Sequence, residues 1–151
     1  MLKKQKSCEK RYVFVFDAST IIVLHDIDGI RRRVKVKIII PQAVRNEFLR
    51  SGSQIDMQSD NITEILTEAD VNTIGVPQSL SEGERYAIAI ANAISKLSGG
   101  NVTLVITDDL RARRACRKMG IKVIGTLVLI EFAERHGVMT KEEKFNLLKN
   151  S

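Results

Sequence analysis

Apolar and polar positions alternate along the chain with two periods, one of strands and one of helices. Tyr12-Val13-Phe14-Val15-Phe16 is an unbroken run of aromatic and β-branched residues, the signature of a strand buried on both faces, and it stops at Asp17-Ala18-Ser19-Thr20. Ile21, Ile22, Leu24 and Ile27 then predict a helix over Ser19 to Asp28, ended by Gly29; His25 on it is given no role. Val34 to Ile40 reads as a second strand with a basic start after Arg31-Arg32-Arg33, and Pro41 opens a helix whose apolar stripe contains Val44, Phe48 and Leu49. Ser51 to Asp60 is a loop by composition, and the pattern leaves Ile62 to Leu66 and Val71 to Val76 untyped. Ser81 and Glu84 form a capping box ahead of an Ala- and Ile-rich helix running to Ile94, stopped by Ser98-Gly99-Gly100. Val102 to Ile106 is a third strand, ending in Thr107-Asp108-Asp109 and followed by an Arg-rich helix over Leu110 to Met119. Beyond Gly120 come a strand over Ile121 to Ile124, a helix from Gly125-Thr126 to Arg135, and a last amphipathic helix within 138–151 using Phe145, Leu147 and Leu148. Strands alternating with helices across short turns predict a three-layer α/β/α sandwich around a central, mainly parallel twisted sheet. Residues 1–11 form a polar lead-in, and 1–151 reads as a single domain.

Composition narrows the class of protein. Hydrophobic residues make up 44% and charged residues 28% of the 151, the balance of a soluble globular chain rather than a disordered one. A net charge of +6 favours partners that carry phosphates, nucleic acid first among them. Cys8 and Cys116 stand far apart with no CxxC spacing and no partnering His, so they read as free thiols of a cytoplasmic protein, neither a zinc site nor a disulfide framework. The first apolar run is too short for a secretory core, and no stretch approaches a membrane span.

The acidic residues carry the chemistry. Alone, Asp17 is a helix cap, Glu47 a surface charge and Glu84 half of a capping box. Together they change meaning, because the C-terminal ends of parallel strands and the helix starts beside them share one rim of the sheet. Asp17 and Asp108-Asp109 can lie side by side there, with Glu47 and Glu84 nearby. Two ionised carboxylates about 4 Å apart repel by roughly 4 kcal/mol at an effective dielectric near 20, so such a cluster calls for a cation. All-oxygen donors suit Mg²⁺ or Mn²⁺ and not zinc.

From Tyr12 to about Leu129 the chain resembles the PIN-domain ribonucleases, among them the VapC-type toxins. The resemblance rests on Phe16-Asp17-Ala18-Ser19-Thr20, Val44-Arg45-Asn46-Glu47-Phe48, Gly83-Glu84-Arg85-Tyr86-Ala87-Ile88-Ala89, Thr107-Asp108-Asp109-Leu110-Arg111-Ala112-Arg113 and Gly125-Thr126-Leu127. The Gly83-Glu84 form is similar to a prokaryotic branch whose third acid is Glu. The resemblance implies a metal-dependent endoribonuclease leaving 5′-phosphate and 3′-hydroxyl ends. It makes Asp17, Glu47, Glu84 and Asp109 the catalytic acids, Asp109 selected by its place two residues after Thr107; it counts Asp108 with these four as metal ligands, Asp108 contributing or capping, and gives Ser19 and Thr107 a supporting role. Arg111, Arg113 and Arg114, with Arg117 and Lys118 beyond them, would receive the RNA backbone, or simply form a solvated helix face. A small antitoxin and a second copy of the chain are the protein partners it implies. A stand-alone processing nuclease and a PIN-like module that binds RNA or protein without cutting are the alternatives. A haloacid dehalogenase-type phosphatase would need an acid where Ser19 stands, and a receiver domain would need a late Lys that Ile124-Gly125 after Val123 does not offer.

Overall fold

A computed structural model describes residues 11–17, 19–20, 36–50, 62–65, 75–97 and 101–149. The elements expected over Ser19 to Asp28 and the loop over Ser51 to Asp60, together with Cys8, His25, Arg31 to Lys35 and Val71 to Ile74, lie wholly or mostly outside these residues. The described elements run β1 (Arg11–Phe16), β2 (Val36–Pro41), α1 (Gln42–Arg50), β3 (Ile62–Ile65), α2 (Glu82–Leu97), β4 (Asn101–Ile106), α3 (Leu110–Lys118), β5 (Lys122–Ile124), α4 (Thr126–Arg135) and α5 (Lys141–Lys149).

Five strands form one sheet in the order β3-β2-β1-β4-β5, and every pairing is parallel. Strand β1 is central, in register with β2 through Phe14↔Ile38 and with β4 through Phe16↔Ile106. The chain steps outward from β1 to β3, then returns to the other side of β1 for β4. That reversal leaves a topological switch point between the C-terminal ends of β1 and β4, where the carboxylates at the two strand ends become neighbours.

Helices cover both faces, and period-2 alternation along the strands sorts their side chains between two cores. Val13, Val15, Ile39 and Val105 join Ala87, Ile88, Ile90 and Ala91 of α2 and Ala112, Ala115 and Cys116 of α3. Phe14, Phe16, Ile38, Ile40 and Ile106 join Val44 of α1 and Leu129, Ile130 and Ala133 of α4. On the second face Tyr12, Phe14 and Phe132 meet with ring centroids 5.3–6.0 Å apart, in tilted and edge-to-face pairs. The expected sandwich is therefore observed.

Several boundaries differ from the sequence reading. Pro41 closes β2, opposite Ile65 of β3, and α1 begins at Gln42, one residue later than expected. Ile62–Ile65, untyped by pattern, is an edge strand; at four residues it is too short to show a period. In α5, Leu147 and Leu148 pack on the second core, but Phe145 is 64% exposed. The capping box is present, with Glu84 N–H donating to Ser81 Oγ at 3.2 Å and Ser81 N–H to Glu84 Oε1 at 2.9 Å. A second one joins Thr140 and Glu143 at the start of α5.

Candidate functional site

Asp17 continues β1 by one hydrogen bond, donating its backbone N–H to Ile106 C=O at 3.2 Å, so its side chain starts from the switch point. The carboxylate is 2% exposed. Its Oδ1 accepts from Ser19 Oγ at 2.8 Å and from Thr20 N–H at 3.1 Å. Thr20 Oγ1, 2.9 Å from the same oxygen, is also 2.8 Å from Ile106 C=O, so one hydroxyl proton serves either acceptor. Asp17 Oδ2 accepts a short hydrogen bond from Thr107 Oγ1. Hydrogen bonds to a charged group contribute about 1.5–3 kcal/mol each, which offsets the burial of this charge. Asp17 is thus held by a full set of donors and not as a simple cap.

Thr107 passes the linkage on. Its hydroxyl, donating to Asp17, accepts from Asp109 N–H at 3.2 Å. Asp109 is the N-cap of α3, its Oδ1 accepting from Arg111 N–H at 2.8 Å and Ala112 N–H at 3.3 Å. The same carboxylate lies beside Glu84, close enough for a hydrogen bond when Glu84 is protonated. Partial burial, then that hydrogen bond, push the Glu84 carboxyl above its ordinary range, against the opposing pull of Ser81 N–H. Asp109 moves the other way, chiefly because Glu84 donates to it. The two acids therefore titrate as a coupled pair, with Glu84 the later of the two to ionise.

Glu47 arrives from α1. Its Oε1 accepts from Gly83 N–H at 3.2 Å, next to Glu84 in the first turn of α2, where the helix dipole favours an anion. A side chain at Gly83 would put its Cβ 3.0 Å from Glu47 Oε1 and 3.0 Å from Val44 Cγ2, so the missing Cβ makes room for this contact. Asp17, Thr107, Asp109, Glu84, Gly83 and Glu47 therefore form a line along one rim of the sheet.

Asp108 lies apart from that line. Its Oδ1 accepts from Thr126 N–H at 2.8 Å and its Oδ2 from Thr126 Oγ1 at 2.6 Å, at the start of α4. The basic residues divide too. Arg111, Arg114, Arg117 and Lys118 are exposed on α3, whereas Arg113 is half-buried, with a terminal nitrogen 3.4 Å from where a Cβ on Gly125 would stand. Gly83 and Thr126 are the contributors that sequence reasoning missed; Gly83 sat inside the quoted Gly83-Glu84 motif, whose glycine had been given no role.

The donors are carboxylate oxygens throughout, a chemistry that suits Mg²⁺ or Mn²⁺, and the repulsion between Glu84 and Asp109 when both are ionised is one a hard divalent cation would relieve. Among the described residues, however, no three His, Cys, Asp or Glu side chains cluster tightly enough to hold a metal ion as they stand.

A family model described as a PIN domain matches residues 13–151. The chain belongs to the PIN-domain family. PIN domains are generally nucleases and generally depend on a divalent metal, and the parallel sheet with acids at its switch point is that kind of fold. No curated protein matches this PIN domain. No helix among its described residues is long and apolar enough to cross a membrane.

Proposed function

We propose that this PIN domain is a Mg²⁺- or Mn²⁺-dependent endoribonuclease, cutting RNA phosphodiesters to leave 5′-phosphate and 3′-hydroxyl ends. One observation carries the reading. Four acids widely separated in sequence line one rim through the hydrogen bonds of Thr107 and Gly83 and the Glu84–Asp109 contact. A folded chain has little reason to gather repelling charges in this way unless a cation joins them.

Asp17, Glu47, Glu84 and Asp109 would hold the ion, which when bound supplies positive charge to polarise a phosphate oxygen and acidify water. Ser19 and Thr107 fix the Asp17 carboxylate, leaving it little freedom to turn away. A bound cation would favour the ionised form of Glu84, whose carboxyl is raised by burial and by the neighbouring Asp109. Arg111 and Arg114, exposed one turn from Asp109, draw the RNA backbone to the rim. A small antitoxin that blocks the acids, and a second copy of the chain, are proposed protein partners.

Purified protein should cleave RNA with Mg²⁺ or Mn²⁺ and stop when a chelator is added. Asp17→Asn should abolish cleavage and still fold, because the new amide can donate to Thr107 Oγ1 where Oδ2 accepted. Cleavage that survives the chelator or this variant refutes the reading. The looseness of the cluster favours a second reading, RNA binding without cutting. It predicts salt-dependent RNA binding with no cleavage in either metal.

A further inference from the structure

Thr107, Asp108 and Asp109 are consecutive, yet their side chains serve three different neighbours. Thr107 reaches Asp17, Asp109 caps α3 and meets Glu84, and Asp108 spends both oxygens on Thr126. We infer that Asp108 is a positioning residue and not a ligand: it clasps the β4–α3 turn to the start of α4 and thereby aims Asp109 at Glu84. This rests on the nuclease reading, and it gives Asp108, which the sequence left to contribute or cap, a defined role beside Asp109.

Three observations support the clasp. Gly125, the N-cap of α4, offers no side-chain cap, so Asp108 does that work from another part of the chain. Gly125 has an ordinary φ of −94°, so its backbone makes no demand for glycine. The demand is steric: a Cβ there would lie 2.7 Å from Asp108 Oδ1. Finally, Thr107 N–H donates to Ile124 C=O at 3.0 Å, which fixes the residue before Asp108 to the end of β5. With Thr107 fastened on one side and α3 begun on the other, the Asp108–Thr126 pair leaves the turn one way to sit.

The test compares Asp108→Ala, Asp108→Asn, Thr126→Ala and the double alanine variant with Asp109→Asn. In amide NMR spectra of the metal-free protein, Asp108→Ala and Thr126→Ala should shift the Asp109 and Glu84 resonances. Asp108→Asn should leave them near wild type, because its carbonyl still accepts from Thr126 N–H and its amide can donate to Thr126 Oγ1. Mn²⁺ affinity measured by calorimetry should fall about 10–100-fold in either alanine variant. The double variant should be no worse, since both changes break one contact. Loss of Mn²⁺ affinity in Asp108→Asn as large as in Asp109→Asn would make Asp108 a ligand. Unmoved Asp109 and Glu84 resonances in Asp108→Ala, with only a lower melting temperature, would reduce it to a helix cap. Wild-type protein that binds no Mn²⁺ counts against the nuclease reading, and the metal-free spectra still decide the clasp.

Discussion

Glu84 and Asp109 are neighbouring acids whose ionisations oppose each other, and each contributes to stability with its own sign. Glu84 is raised, so the stability it contributes is present below the unfolded-state value of 4.5 and is lost as pH rises through its higher folded-state value. Asp109 is lowered, so its contribution is present above 3.8 and is lost as pH falls through its depressed value. Ionising Glu84 beside Asp109 therefore costs the fold stability as pH rises. Glu84→Gln keeps a donor toward Asp109 and suits the capping box with Ser81. It should stabilise the fold at pH 7 by about 1 kcal/mol or less, since solvent screens so exposed a pair, seen as a higher melting temperature, and the gain should shrink toward pH 4. The same variant should lose nuclease activity, and a variant both less stable and fully active would contradict both roles. Cys116 makes a contrasting case. It is fully buried, and burial pushes its thiol up to about 12, so it should resist alkylation in the native protein and react once unfolded, as peptide mapping after labelling would show.

Helix starts recur as the places where the acids are held: Asp109 at α3, Asp108 at α4, and Glu47 over the first turn of α2 that contains Glu84. Gly83 is the most exposed of these arrangements to a single change. Ala at a helical position gains about 1 kcal/mol over Gly, while its Cβ here would press on Val44 and Glu47. Gly83→Ala should therefore leave stability nearly unchanged in a denaturant titration and still cut activity sharply, because the Glu47 carboxylate must shift. The elements themselves were largely legible. Unbroken apolar runs marked β1 and β4, the Ser81–Glu84 spacing marked the start of α2, and the acids stood where those patterns stopped. What could not be read were contacts across sequence distance. Glu47 and Gly83 are 36 residues apart and Asp108 and Thr126 are 18, and a one-dimensional pattern does not say which carboxylate turns toward which amide. The edge strand β3 escaped because four residues with Glu64 among them show neither period.

Across the whole molecule, charge and topology act on different parts of the proposed activity. The net charge of +6 draws phosphates to a surface on which α3 displays Arg111, Arg114, Arg117 and Lys118. Arg111→Ala with Arg114→Ala should weaken RNA binding and flatten its dependence on salt, measured as affinity against ionic strength, while the cleavage step on bound RNA persists. Topology governs when the rim exists at all. The Thr107 hydroxyl that holds Asp17 lies 90 residues further along the chain, and β1 gains its second neighbour only when β4 arrives. Until β4 has been made and has paired with β1, Asp17 lacks the Thr107 hydroxyl and its rim neighbours cannot be linked. The central position of β1 thus makes the acidic rim a late product of folding, completed only when both halves of the sheet have joined.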